Sequence, residues 1–156
     1  MTEPVTTRPV PSEAPPRLTL LRALSFSYDV FVVAVLWTFA GVAGVAANRG
    51  EAIPAGTVWF GGVLAGVTFA YFVYSWYRGG QTLGMRAWRL EVSSIQGNRP
   101  SPSQASLRFL VGLLLGVDLL WTYLDREGRS LADRASGTRV RRLPRRPGGH
   151  RRQAPS

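Results

Sequence analysis

The sequence predicts an all-α membrane protein. Its expected form is a small transmembrane helix bundle with two spans, a third apolar helix that is spanning or re-entrant, and a short cytoplasmic strand pair. Three observations point there. The apolar residues are gathered into three blocks. The arginines lie mainly between and after those blocks. Aromatic residues mark both ends of the second block, Trp59 and Phe60 at one and Tyr71, Tyr74, Trp76 and Tyr77 at the other, as interfacial belts do. The mean hydropathy of +0.02 and the net charge of +10 average over these segments and hide their segregation.

Residues 1–17 carry Pro4, Pro9, Pro11, Pro15 and Pro16 among Thr, Ser and Glu. Such a composition cannot bury a core, so this stretch reads as a disordered tail. Helix one follows at about residues 18–47. From Val30 to Ala47 it holds no charge, and that run alone makes about 27 Å of helix, close to a bilayer's hydrocarbon thickness. Val45-Ala46-Ala47 has the small residues of a cleavage site, but the apolar run is longer than a signal peptide's, so a retained helix is expected. Arg22 is placed to snorkel to the headgroups. Asp29 lies inside the apolar segment, where a carboxylate costs roughly 2.5 to 3.5 kcal/mol at the helix centre and less toward an end. It needs a partner, a proton or water. Arg22, seven positions earlier on the same face, is about 10 Å away along the axis and out of direct reach. Arg108, which opens the third block, is the candidate partner.

Helix two is expected at about residues 57–77, after a turn containing Pro54 and Gly56. Ala40 and Gly44 on helix one, and Gly62 and Gly66 on helix two, present small faces for close helix packing. Arg78 to Ser106 is a polar stretch. Within it Trp88, Leu90 and Val92 alternate with Arg89 and Glu91, the period of a short strand. A third helix is expected at about residues 104–124, with Arg108 near its start and Asp118 inside. Thr138 to Leu143 can form a second strand beside the first, and residues 143–156 form a disordered arginine-rich tail. The membrane domain thus covers residues 18–142.

Several function classes are excluded or disfavoured. There is no cysteine, so disulfides and thiolate chemistry are excluded. The one histidine, His150, stands near the C-terminus, which argues against a histidine zinc site or a Ser-His-Asp triad. Gly79 to Gly84 lacks the Lys-Ser/Thr ending of a phosphate loop and reads as a turn leaving the membrane. No enzyme activity, metal or cofactor is expected. The basic tail lacks interleaved aromatics, so anionic lipid headgroups rather than nucleic acid are its expected partner.

Arg22 and Asp29 in helix one, Gly80-Gln81-Thr82-Leu83-Gly84-Met85-Arg86 after helix two, and Asp125 to Thr138 after the third block occur in an order that resembles the RDD family of bacterial membrane proteins. The family is named for one arginine and two aspartates, which the resemblance maps to Arg22, Asp29 and Asp133. Two positions depart from it: Ala132 stands where many members have histidine, and Met85 where many have lysine. The resemblance implies an integral inner-membrane protein, with transport of an unknown ligand the usual suggestion and cation/proton exchange proposed for some members. For Asp29 and Asp118 two readings stand side by side, a structural carboxylate and a proton or cation site. For Asp133, near Arg129, Arg134 and Arg139, the expectation is bracing, with Arg86 as the residue that ties it to the Gly80 segment. The protein is then a helical module that packs with itself or a partner. The alternative is a transporter component that uses Asp29.

The positive-inside rule places the N-terminus and the Arg78 to Ser106 loop in the cytoplasm. A full third span would export the basic tail, so re-entry is the expectation. A cysteine introduced at Ser156 is expected to react with an impermeant thiol reagent only after the cells are opened; labelling in intact cells would require a third crossing.

Overall fold

The computed structural model describes residues 15–115 and 130–144. Along the chain lie α1 (Pro15–Ala47), α2 (Val58–Gly79), α3 (Leu83–Ala87), β1 (Leu90–Ser94), α4 (Pro102–Leu115), α5 (Leu131–Ser136) and β2 (Thr138–Arg142). Helix α1 starts before the expected Leu18 because prolines are tolerated in a first helical turn, where no backbone N–H has an intrahelical acceptor.

α1 and α2 form an antiparallel pair. Asp29 faces Tyr71, Trp37 faces Leu64 and Thr68, and Gly44 faces Phe60. A side chain at Gly44 would sit 2.9 Å from Ile53 and 3.0 Å from Phe60, so this small residue permits the close approach. Gly62 and Gly66 have no such neighbour among the described residues. Both helices are long and apolar enough to cross a membrane, and the apolar windows are unburied. Phe31 is 74% exposed and Phe39 70%. The central helix of a water-soluble domain would hide these rings; lipid is the solvent that tolerates them.

The C-terminal end of α2 and the N-terminal end of α1 carry everything else. Gly80 closes α2 in the left-handed conformation, φ 65°, and its N–H donates to Trp76 O at 2.9 Å. That turn sends the chain directly into α3. Leu90 to Ser94 then pairs antiparallel with Thr138 to Arg142, from Leu90↔Arg142 to Ser94↔Thr138. The expected strand pair is therefore present, but β1 begins at Leu90 rather than Trp88. Trp88 is the C-cap of α3, and Arg89 takes a left-handed φ of 56°. Leu90, Val92 and Val140 turn inward onto Trp76, Met85 and Ala105, forming the buried core.

Helix α4 runs antiparallel to α2. Arg99 donates to the Arg78 carbonyl at 3.0 Å, the Arg108 guanidinium lies 5.1 Å from the Trp76 ring centroid, and Phe109 packs edge-on against Phe69. Ser101 and Gln104 cap its start reciprocally, as a capping box does. Its 14 residues make about 21 Å. The chain is back at the same end by Ser130, since Arg108 contacts both Asp133 and Thr138 and Ile95 N donates to Gly137 O at 3.0 Å. Pro102 and Ser130 therefore lie at the same end of the two-helix frame. Asp118, residues 116–124 of the expected 104–124 helix, and residues 1–14 and 145–156 of the expected tails lie outside the described residues.

Two glycines should respond oppositely to the same substitution. A Cβ at Gly80 would meet Val92 O at 2.9 Å in a left-handed position, whereas Gly41, inside α1, has nothing within 4 Å. Gly80→Ala is expected to lower stability by about 2 kcal/mol. Gly41→Ala should raise it by up to about 1 kcal/mol, with thermal melting in detergent as the measurement.

Candidate functional site

The three residues singled out from the sequence are drawn into two neighbouring polar assemblies. The first is centred on Asp133. Ser130 and Asp133 form a capping box: Asp133 N–H donates to Ser130 Oγ at 3.1 Å, and Ser130 N–H donates to Asp133 Oδ2 at 3.2 Å. This leaves both carboxylate oxygens facing α1 and α4. Arg22 donates to Oδ2 and Arg108 to Oδ1, each as an ion pair. Arg108 Nη1 also donates to Thr138 Oγ1 at 2.9 Å, and the Ser136 and Thr138 hydroxyls bond at 2.8 Å. One carboxylate thus ties α1, α4 and α5 together, and Arg108 extends the tie to β2.

Burial, taken alone, would raise the Asp133 pKa. The Arg108 and Arg22 charges and their hydrogen bonds outweigh it and hold the group at about 2, below its ordinary 3.8. A carboxyl whose folded pKa is lowered contributes its stability above the unfolded value and loses it as pH falls through the folded one.

The second assembly is centred on Asp29, which is 3% exposed. Tyr71 OH donates to Oδ1 at 2.7 Å, Gly84 N–H to Oδ1 at 2.9 Å, and Thr82 Oγ1 to Oδ2 at 2.6 Å. Thr82 Oγ1 also accepts from Met85 N–H at 3.1 Å, and Tyr71 OH accepts from Leu83 N–H at 3.2 Å. The free N–H groups of the first turn of α3 are therefore met from α1, α2 and the N-cap residue. Asp29 acts as an N-terminal cap supplied by another helix, where the negative charge also suits the helix dipole. Gly84 is required there: a Cβ would press into the Ser25 carbonyl and come within 2.9 Å of the Asp29 carboxyl carbon.

Several sequence expectations are corrected. Arg108 is not the partner of Asp29; Asp133 and the Trp76 ring hold it instead. Arg22 does not snorkel to the headgroups, because its guanidinium is ion-paired and its side chain is 10% exposed. Asp133 is not tied to the Gly80 segment through Arg86, which is exposed; among the described residues its ion-pair partners are Arg22 and Arg108, and Arg129 lies outside the described residues. The Gly80 segment is instead braced by Asp29 through Thr82 and Gly84, while Gln81 donates to Leu90 O at 2.7 Å. Tyr71, expected as a belt aromatic, Thr138, expected only as a strand end, and Ser130 join the site through their hydroxyls. Ser130-x-x-Asp133 carried the capping-box spacing that marks the start of α5.

The two assemblies share a cleft of about 410 Å³ between α1 and α4. Arg22, Asp29 and Arg108 line its polar end, and Phe26, Phe72 and Phe109 its walls. No cluster of histidine, cysteine or carboxylate side chains suited to a metal occurs among the described residues.

A helical, membrane-type domain with its polar residues gathered at one end defines the class. Residues 18–137 match the RDD family, and the chain belongs to that family. No curated protein and no solved structure matches it. With its exposed apolar helices it is an integral membrane protein.

Asp133→Asn should destabilise the fold by about 3 to 5 kcal/mol, because it leaves two buried guanidiniums without a counter-charge. Melting temperature followed from pH 6 to pH 2 should fall for the wild type as Asp133 takes up a proton, with a flatter acid limb in the variant.

Proposed function

We propose that this chain is a non-enzymatic helical module of a bacterial cytoplasmic membrane, with its polar cap on the cytoplasmic side, and that it packs with itself or with a membrane partner. One observation carries the reading: all four oxygens of Asp29 and Asp133 accept hydrogen bonds from the protein. A carboxylate that binds and releases a cation needs an oxygen turned to solvent or to the ion. These are committed to holding helices together. The cytoplasmic placement follows from the arginines at that end, Arg78, Arg86 and Arg89 with Arg139 and Arg141 on β2, under the positive-inside rule. Self-packing is supported by the small open faces at Gly62 and Gly66 of α2. Anionic headgroups are the proposed contact of the arginine-rich residues 143–156.

A second reading, a transporter component for a cation or small solute, draws on the cleft in which Asp29 stands. Its walls are largely aromatic and aliphatic, which suits an acyl chain or a packed helix better than a hydrated ion.

Reconstituted vesicles separate the two. The module reading expects no sodium-, potassium- or lithium-dependent proton flux from the wild type, and a lower melting temperature for Asp29→Asn. Flux in the wild type that Asp29→Asn abolishes without a change in melting would establish the transporter.

A further inference from the structure

A second concavity, of about 620 Å³, lies at the same end of the molecule but away from both carboxylates. Tyr77, Arg78, Arg99, Pro100, Ser101 and Pro102 line it. No acid is among them, and both arginines are exposed. Among the described residues neither guanidinium has a carboxylate partner. Arg78 rests over the Tyr74 ring at 5.9 Å from its centroid, and Arg99 Nη1 donates to the Arg78 carbonyl at 3.0 Å. These contacts anchor two cations at one rim without neutralising either.

Depth identifies what they meet. Tyr74, Tyr77 and Arg78 occupy the last turns of α2. At the end of a membrane-crossing helix, aromatic and basic side chains sit at headgroup level. Tyr74 is 61% exposed and Tyr77 44%, as rings facing the interface are. We propose that the Arg78–Arg99 concavity seats the phosphodiester of an anionic phospholipid. The two guanidiniums contact the phosphate oxygens, and the acyl chains run down the exposed side of α2. The proposal rests on α2 being a membrane span. It does not involve the C-terminal tail.

Native mass spectrometry of the full chain released from nanodiscs tests it, with phosphatidylglycerol and phosphatidylcholine discs compared. The wild type is expected to retain phosphatidylglycerol in preference to phosphatidylcholine. Arg78→Gln and Arg99→Gln should each weaken retention about fivefold, the effect expected of one basic residue at the membrane surface. Arg139→Gln, which removes the same charge from β2, should leave it unchanged. Arg78→Gln keeps the backbone acceptor of Arg99, so a loss of lipid with unchanged melting in that variant reports the seat rather than the fold. Undiminished retention in the Arg78→Gln/Arg99→Gln double variant would overturn the proposal. So would displacement of the lipid by inorganic phosphate at equal concentration, which would make the concavity a site for soluble anions.

Discussion

The fold depends on one carboxylate being shared by two buried guanidiniums. Asp133 comes from a six-residue helix that could not persist alone, and it holds a residue from the first helix and one from the fourth. At the margin of an apolar layer an unpaired arginine must find water or a counter-charge, and here the chain supplies the counter-charge itself. Burial works against Asp133 as a charged group, yet two cations on one anion more than offset it. The assembly is formally cationic by one, with Asp29 lining the same cleft. Replacing one member therefore does more harm than the value of a single pair suggests, because the others stay buried with their charge.

Asp29 solves a different problem by similar means. A carboxylate in an apolar helix and the start of a five-residue helix are each unfavourable alone. The first lacks donors; the second exposes donors without acceptors. Brought together through Gly84, they satisfy one another. Tyr71 serves both sides, since its hydroxyl donates a hydrogen bond to Asp29 and accepts one from Leu83 N–H. Arg22, Asp29 and Asp133, the residues the resemblance singled out, thus divide into a charged clamp and a neutral-donor cap, which meet across one cleft.

The long elements were legible because lipid imposes a simple rule: an uninterrupted apolar run of sufficient length must satisfy its backbone as a helix. The strand pair was legible from alternation at Trp88 to Val92, apart from its first two residues, where an unforeseen helix cap intrudes. That Asp133 and Thr138 come back to the end where α4 begins agrees with a strand pair built from Leu90 and Thr138 segments. The pairing of the charged residues was not legible. Asp29, Arg22 and Arg108 all lie at one end of apolar segments, and nothing in their spacing says which carboxylate takes which arginine. That choice is made by α3 and α5, whose signals are a single Thr82 or Ser130 placed three residues ahead of a partner. Short capped helices leave little periodicity to read.

The Arg22–Asp133 contact joins residues 111 positions apart. Asp29 finds its donors as soon as Thr82 and Gly84 have been made, but Arg22 has no counter-charge until nearly the whole domain has left the ribosome. At about 5 to 20 residues per second that interval is roughly 5 to 20 s. During it, Arg22 stands without Asp133, and α4, α5 and β2 have still to pack against α1 and α2. The clamp therefore closes only on a chain translated through α5, and a product that stops short of Asp133 leaves Arg22 without this counter-charge.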